Sequence, residues 1–400
     1  MRNVRRRASV LAAVAALALG VTACGSDDDG DSGASPAESS SSGGGSSATV
    51  KVGFMGALTG PDAQLGINEY NGAKLAFDQY NATNPATKVD FIQYDTTGAP
   101  DQATALAPKV AQDGVVAVVG PAFSGESKTA VPVLEEAKIA NISASATNAA
   151  LSTNGWKFWH RVLANDDVQG PGAGEFIVKS LPATSVAVID DQSEYGKGLA
   201  DVVNKTVGEQ GGTVATRDSI DPEADDYSST VNQIKSANPQ AIFYGGYYSS
   251  AAKFVKQLRD GGVTATFVSG DGTLDQKFID GAGDAAEGSI LSCTCVLATA
   301  SEDAAVQKFI DDYTAEYGTA PATYSAEAFD AATAIIKALE GGATTGEAIN
   351  EALSNIDFQG VSKPIKFNDV GELETGTTYI HQVKDGKIIS LGEYSSAKVQ

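Results

Sequence analysis

Two turns rich in small hydroxylated residues follow apolar segments in the first half of the chain. The run Val115–Val119 is apolar throughout, which suits a strand covered on both faces, and the turn GPAFSGES follows it. Ser124 lies in that turn at the start of a helical pattern, where free N–H groups stabilise a negative charge. One strand later, Ser145 and Thr147 repeat the arrangement. Neither turn has a histidine beside its hydroxyls, so the pattern favours binding of a small anion-bearing molecule.

Strand ends in the second half of the chain have a similar character. SVAVID leads into a turn with Tyr195, AIFY into a glycine turn with Tyr247, and TFVSG into Asp271. Ligands of open α/β sheets bind beyond the carboxyl ends of the strands. Two such units facing each other would enclose a cleft between them. Short polar loops are also ordinary in any doubly wound α/β domain, so the turns alone leave a purely structural role open.

Strands and helices alternate along most of the chain. Short apolar runs are separated by helical patterns of ten to fifteen residues, first over 50–140 and again over 168–270. This alternation predicts parallel sheets with helices on both faces. Further helical patterns between 302 and 354 precede a terminal hairpin around Asp385. Because 400 residues exceed one typical core, we expect an α/β fold of two doubly wound parallel-sheet lobes.

The N-terminal segment has the features of an export signal. Residues 1–23 combine a basic start with the apolar run Val10–Leu19, which is too short to span a bilayer comfortably. The sequence Val21–Cys24 resembles a bacterial lipobox, which implies that Cys24 is lipid-modified and becomes the mature N-terminus. A simple secretory peptide with an incidental cysteine is the alternative.

The next segment, 24–48, is rich in serine, glycine and aspartate and has almost no apolar residues. Such a composition cannot offset the entropy of ordering, so we expect a lipid-anchored flexible linker. A coil of this length spans roughly 25–30 Å. The chain is therefore expected to be exported and anchored by lipid at the outer face of the bacterial cytoplasmic membrane, without spanning it.

Composition and motifs argue against several classes of function. The chain has 28 basic and 50 acidic residues, a net charge of −22, which repels nucleic acid and anionic headgroups. The sequence contains no Gly-x-Ser-x-Gly elbow and no Walker motif. His160 and His381 are its only histidines, and neither is close in sequence to the cysteines. We therefore expect no nucleic-acid partner, no catalytic residues, no metal and no cofactor.

Cys293 and Cys295 lie in the segment LSCTCVL. An exported protein can form disulfides, but a ring closed by a Cys-x-Cys pair is tight and should be strained. Both a short disulfide and two free thiols fit these facts. We expect the disulfide.

Several stretches along the folded body point to one family. They are VKVGFMGALTGPDAQLG, VVGPAFSGES, SASATNAAL, DDQSEYGKGLA, FYGGYYSSAAKFVKQLRDGG and FVSGDG. In this order they resemble type I periplasmic binding proteins, specifically the leucine/isoleucine/valine-binding branch that serves ABC importers. The resemblance covers about Val50 to Leu391. It implies a monomer that captures a small amino acid, branched-chain first, or a related amide, and delivers it to an ABC permease.

The resemblance also assigns roles to individual residues. Ser124, Ser145 and Thr147 are similar to the groups that hold the α-carboxylate and part of the α-amino group of an amino acid. Asp271 stands where the acidic partner of the α-ammonium is found. Residues expected to close over the ligand or to line its side-chain pocket are Tyr195, Tyr247, Leu65, Ala122, Phe123 and Tyr324. The alternatives are an ordinary turn position for Asp271, core packing for Tyr195 and Tyr247, and loop packing for Leu65 and Phe123.

Three crossings between the lobes are implied as well, near 161–167, 292–298 and 367–375. The expected division is lobe 1 from 49–165 and 296–372, and lobe 2 from 166–295 and 373–400. Cys293 and Cys295 then fall at the second crossing, where we hypothesise that they stiffen the hinge. A reduced protein with unchanged closure and affinity would contradict that role. A ligand sensor that signals through a surface partner is the main functional alternative, and an enzyme is a weaker one.

Overall fold

The structure, a computed structural model, describes residues 48–400. The predicted signal peptide, Cys24 and the linker as far as residue 47 lie outside the described residues. Between residues 48 and 400, no helix combines the length and apolar character needed to cross a membrane.

The first sheet contains five strands. They are β1 (Ala48–Gly56), β2 (Thr87–Asp95), β3 (Val115–Val119), β4 (Ala140–Ser143) and β5 (Trp159–Arg161). Every pairing in the sheet is parallel, and the strands lie in the order β2-β1-β3-β4-β5. The helices that connect them are α1 (Ala63–Ala82), α2 (Pro100–Gln112) and α3 (Ser124–Glu136).

The chain then builds a second α/β unit. Its strands are β6 (Ser185–Asp190), β7 (Thr213–Ser219), β8 (Ala241–Gly245), β9 (Thr266–Ser269) and β10 (Ile290–Cys293). Its helices are α4 (Asp166–Glu175), α5 (Glu194–Glu209), α6 (Ser228–Ala237), α7 (Tyr248–Asp260) and α8 (Gln276–Ala282).

The C-terminal part of the chain contributes to both units. Its elements are α9 (Ala304–Tyr317), α10 (Ser325–Glu340), α11 (Gly346–Ser354), β11 (Asp357–Gln359), β12 (Pro364–Lys366), β13 (Tyr379–Lys384) and β14 (Lys387–Glu393). Helix α10 packs on α1, while β13 and β14 extend the second sheet as antiparallel strands, giving the order β14-β13-β10-β9-β8-β6-β7. The predicted fold class, an α/β protein of two lobes with parallel sheets, is confirmed.

Apolar side chains from both faces of each sheet explain why these segments form a stable protein. One face of the first sheet packs Phe54, Val119 and Ile142 against α1 and α10. The opposite face packs Met55 and Val118 against α2 and α3. A strand buried on both faces must be apolar at every position, as the run VVAVV in β3 is.

The chain passes between the two sheets three times among the described residues. It leaves the first sheet after β5 and enters α4, returns between β10 and α9, and leaves again before β13. The connecting residues are 162–165, 294–303 and, after the bridge between Phe367 and Leu373, 374–378. Each crossing is short, so the two units are joined only by narrow segments of chain.

The pattern-based elements differ from the structure mainly at helix starts and in short elements. The helical pattern of the sequence predicts a helix over Gly198–Gln210, whereas α5 begins earlier, at Glu194. The Ser193 hydroxyl accepts a hydrogen bond from the Gly196 N–H and so caps the earlier turn. Strands β5 and β10 and helix α8 were not predicted, because each is too short for its periodicity to stand out.

Candidate ligand-binding site

A small cavity lies between the two lobes, beyond the carboxyl ends of the central strands. Its volume is about 10 Å³, close to the room that one water molecule needs. Residues from both lobes line it, namely Leu65, Phe123, Ser124, Ser145, Tyr195, Tyr247, Gly272 and Tyr324. All but Gly272 were predicted from the sequence. Three other predicted residues, Ala122, Thr147 and Asp271, are buried but do not lie on the cavity wall.

Asp271 is the centre of a buried hydrogen-bond network behind the cavity wall. Its Oδ1 accepts from the Tyr195 hydroxyl at 2.5 Å and from Gln169 Nε2 at 3.0 Å, and its Oδ2 accepts from the Tyr324 hydroxyl at 2.7 Å. The carboxyl is fully buried, and burial raises its pKa even though these donors favour the charged form. The network ties together two tyrosines of the cavity wall, one from each lobe.

Tyr324 reaches Asp271 from an unusual backbone conformation. It immediately precedes α10 and has a φ of 69°, in the left-handed region that non-glycine residues seldom adopt. Such conformations persist only where the surroundings hold them, and they cluster at functional sites. Here the conformation carries a lobe 1 side chain to a lobe 2 carboxylate, across the gap between the lobes.

Asp166 is a second buried carboxylate at the site, and sequence reasoning missed it. It begins α4, one helical turn before Gln169, and neither carboxylate oxygen has a hydrogen-bond partner among residues 48–400. Within the same described range, the Thr147 hydroxyl and Gln169 Oε1 also lack partners. Burial and the nearby charge of Asp271 raise the pKa of Asp166 well above its ordinary value. In the sequence it looks like any acidic residue of a first helical turn.

Two predicted serines are held by backbone groups. Ser124 begins α3, and its Oγ accepts a hydrogen bond from the Asn148 N–H at 3.2 Å. The Ser145 hydroxyl donates to the Ala122 carbonyl at 2.5 Å. The first N–H groups of α3 have no acceptor within the helix, so this corner of the cavity offers donors to an anion. Ala122 contributes its carbonyl, while its side chain belongs to the core.

Glu126 holds the backbone at the start of α3 through a buried carboxylate. Sequence reasoning did not identify this residue. Its Oε2 accepts from the Phe123 N–H at 3.0 Å, and its Oε1 accepts from the Thr96 hydroxyl. Burial raises the pKa of Glu126 to about 7. The charged carboxylate is thus disfavoured in the folded protein, although two hydrogen bonds partly stabilise it.

A pH-dependent difference in stability follows for Glu126→Gln. Because the pKa of Glu126 is raised by folding, its contribution to stability is greatest below its ordinary pKa of 4.5 and is lost as the pH rises through about 7. Wild-type Tm minus variant Tm should therefore decrease between pH 5.5 and pH 8. Other buried acids are shared by the two proteins and cancel in this difference. A difference independent of pH, measured by calorimetry, would contradict the assignment.

Aromatic rings form the side of the cavity that faces solvent. Phe123 of lobe 1 stacks on Tyr247 of lobe 2 with ring centroids 4.6 Å apart, and Tyr195 lies 5.1 Å from Tyr247. Outside the stack lies a groove of about 720 Å³, a size typical of small-molecule sites. Phe123 and Tyr247 line both the cavity and the groove.

Arg161 fixes the loop that carries Thr147. The guanidinium is fully buried, and its Nε lies 2.9 Å from both carboxylate oxygens of Glu372. Its Nη1 donates to the carbonyls of Ala146 and Asn148, on either side of Thr147. This ion pair also ties the end of β5 to the chain that precedes the third crossing.

Further contacts join the lobes away from the cavity. The Ser249 N–H donates to Asp62 Oδ1 at 3.1 Å, and Asn68 Nδ2 donates to Asp275 Oδ2 at 3.2 Å. The lobes are therefore in a closed arrangement, held partly by hydrogen bonds that no cavity residue makes.

Cys293 and Cys295 are joined by a disulfide at the second crossing, and both side chains are buried. Between them, the Thr294 hydroxyl donates to the Ala164 carbonyl of the first crossing at 2.8 Å. Lys363 of lobe 1 donates to the Thr294 carbonyl at 3.0 Å. The disulfide therefore closes a segment that contacts both another crossing and lobe 1, which supports our hypothesis that it stiffens the hinge.

The site is suited to holding a molecule rather than transforming it. Hydroxyls, aromatic rings and the first residue of α3 line the cavity, and the Asp271 carboxylate lies behind its wall. Over residues 48–400, no three His, Cys, Asp or Glu side chains are arranged to hold a metal ion. Two lobes that close on such a cavity define a solute-binding protein of the hinged, two-lobed class.

The chain belongs to the periplasmic binding protein family, whose model matches residues 49–387. A leucine-, isoleucine-, valine-, threonine- and alanine-binding protein of Pseudomonas aeruginosa is 30% identical over 329 residues, 82% of this chain and 87% of that protein. The family consists of extracytoplasmic binding proteins, not enzymes. The predicted type I, branched-chain amino acid branch is therefore confirmed.

Solved structures agree with this assignment. The leucine-binding protein LivK of Thermotoga maritima has a TM-score of 0.80 at 27% identity, covering 86% of this chain and 98% of its own. LivJ of Streptococcus pneumoniae, solved with isoleucine, has a TM-score of 0.78 at 27% identity, covering 86% of this chain and 99% of its own.

Proposed function

We propose that this protein captures a small amino acid, branched-chain first, or a related amide, between its lobes and delivers it to an ABC importer. The observation that carries the proposal is a pair of neighbouring buried carboxylates, Asp271 and Asp166, together with the N-terminus of α3, whose first residue lines the cavity. Asp271 is bonded directly to two tyrosines of the cavity wall. The relatives support the same ligand class. The Pseudomonas aeruginosa protein is named for binding leucine, isoleucine, valine, threonine and alanine, and LivJ was solved with isoleucine.

The two charges of a zwitterionic ligand explain why the site needs both the buried carboxylates and the N-terminus of α3. An ammonium and a carboxylate lose hydration when the lobes close, so each must meet a hydrogen-bond partner or an opposite charge. We assign the α-ammonium to Asp271 and Asp166, with Thr147 beside them. We assign the α-carboxylate to Ser124, Ser145 and the first N–H groups of α3. A hydrogen bond to a charged group contributes roughly 1.5–3 kcal/mol net.

The aromatic rings and Leu65 then receive the ligand's side chain. Tyr195 and Tyr247 come from lobe 2, whereas Leu65, Phe123 and Tyr324 come from lobe 1, so a bound ligand contacts both lobes. A ligand that binds the closed form better than the open form shifts the population toward closure. A permease that recognises the closed form then receives loaded protein preferentially.

Calorimetry on residues 49–400 tests this function. The protein is first unfolded and refolded to remove any carried ligand, then titrated with each amino acid and with related amides. Micromolar or tighter binding of valine, leucine or isoleucine is the expected result. Binding of none of these compounds would overturn the proposal, provided that the refolded protein has the melting temperature of the untreated protein.

The parts of the chain outside the described residues complete the proposal. We infer that 1–23 is a lipoprotein signal peptide and that 24–48 tethers the body to the outer face of the membrane.

Lobe 1 then comprises 49–165 and 296–372, and lobe 2 comprises 166–295 and 373–400. We infer a monomer, because one chain supplies both walls of the cavity.

Cys24→Ser tests the lipid anchor. Without a thiol to acylate, the protein should move from the membrane fraction to the soluble extracytoplasmic fraction of a bacterial host, because the acyl chains on Cys24 are its proposed attachment to the membrane. Fractionation followed by immunoblotting measures this. Ser26→Ala, two residues away in the same segment, is the matched control and should stay with the membrane. An unchanged distribution of the Cys24 variant would contradict the anchor.

A further inference from the structure

We propose that Phe123 sets the upper size limit for the ligand's side chain, an inference that rests on the proposed function. Phe123 and Tyr247 line both the inner cavity and the outer groove, so these two rings form the wall between them. The space on the two sides is very unequal, about 10 Å³ inside and about 720 Å³ outside. A ligand side chain that extends toward the groove must displace this wall.

The backbone of Phe123 is firmly held. Its N–H donates to Glu126 Oε2 at 3.0 Å, and its carbonyl accepts from the Ser127 N–H at 2.9 Å. The residue sits at the N-cap of α3 with an extended backbone. The ring therefore projects from a fixed point, and the wall cannot be moved by shifting the chain without breaking these bonds.

The ring itself is positioned by its neighbours. It stacks on Tyr247 at 4.6 Å and lies against Gly98, where a Cβ would come within 3.1 Å of Phe123 Cε2. Gly98 also has a φ of +81°, which favours glycine. Tyr195 and Tyr324, by contrast, are tied to Asp271 through their hydroxyls. The Phe123 ring has no polar group and is held by packing, so the size of this ring determines how much space is available beside Tyr247.

Truncating the ring should change which ligands fit. In Phe123→Ala, the space beside Tyr247 would be open to the groove, and a benzyl side chain of the ligand could stack on Tyr247 in place of the lost ring. Apolar cavities left by removed side chains can bind apolar groups of similar shape. Branched-chain ligands would lose contact with Phe123 and gain nothing, so the preference should move toward phenylalanine.

The test is calorimetric titration of wild type, Phe123→Leu and Phe123→Ala with valine, leucine and phenylalanine. We expect wild type to bind leucine at least tenfold more tightly than phenylalanine. The Ala variant should reduce that ratio at least tenfold, and the Leu variant should lie between them. Phe91→Ala is the matched control: it removes the same ring from a half-buried position in lobe 1 that does not line the cavity, so the ratio should not change.

Each outcome has a distinct meaning. Equal leucine-to-phenylalanine ratios in wild type and Phe123→Ala would overturn this inference and leave the proposed function standing. Wild type that binds phenylalanine as tightly as leucine would overturn it even if the Ala variant fails to fold. Binding of no amino acid by a correctly folded wild type would overturn the proposed function, and this inference with it.

Discussion

Replacing Asp271 by asparagine is expected to weaken binding of any α-amino ligand at least about tenfold, which corresponds to about 1.4 kcal/mol. The substitution removes the carboxylate assigned to the α-ammonium. It also places an N–H₂ group where one of the hydroxyls of Tyr195 and Tyr324 now donates. Calorimetry with the best amino acid ligand measures the effect.

Asp260→Asn is the matched control for this experiment. Asp260 is exposed at the end of α7 in the same lobe, so its replacement removes one charge without touching the site. Its affinity should match that of wild type. Unchanged binding in Asp271→Asn, with an unchanged melting temperature, would mean that the ammonium contact is misassigned or that the ligand has no ammonium.

Replacing Arg161 by methionine is expected to destabilise the protein by roughly 3–5 kcal/mol, because it leaves the buried carboxylate of Glu372 without its charged partner. Among the described side chains, the Ser152 hydroxyl would then be its remaining donor. The loop around Thr147 also loses the two hydrogen bonds that Arg161 donates to its carbonyls. We therefore expect both a lower melting temperature and weaker ligand binding. Thermal unfolding and calorimetry on the same preparation measure the two effects.

An exposed ion pair provides the comparison. Lys138 and Glu347 also join distant parts of lobe 1, but both side chains are more than half exposed. Lys138→Met should change stability by less than about 1 kcal/mol. Adding Glu372→Leu to Arg161→Met should recover part of the lost stability, since a buried unpaired charge is removed. If the Arg161 and Lys138 variants unfold at the same temperature, the buried pair does not have the proposed role.

Local sequence patterns were sufficient for the parts of the fold that depend on neighbours in the chain. Strands β3 and β6 were predicted with the bounds that the structure has, because buried parallel strands need continuous apolar runs. Tyr195 and Tyr247 were assigned to the cleft by the family resemblance, and their positions after strand ends beside glycines favoured the same assignment. Motif resemblance added Leu65 and Tyr324, which no periodicity would have singled out.

Residues whose importance depends on distant partners could not be found in this way. Arg161 and Glu372 are separated by 211 positions, and nothing in either local sequence indicates a buried pair. Asp166 is distinguished only by what surrounds it, namely burial and the nearby charge of Asp271. Such properties arise from tertiary packing, so a single sequence does not contain a local signal for them.

The hydrogen bonds between Asp62 and Ser249, and between Asn68 and Asp275, affect the apparent affinity for every ligand. Because none of these four residues lines the cavity, the two bonds do not depend on a ligand, and they stabilise the closed arrangement of the unliganded protein as well. The apparent dissociation constant is the intrinsic constant divided by the fraction of competent molecules. Strengthening or weakening these two hydrogen bonds would therefore change the affinity for every ligand by one common factor. Discrimination among ligands would then depend on the residues around the cavity.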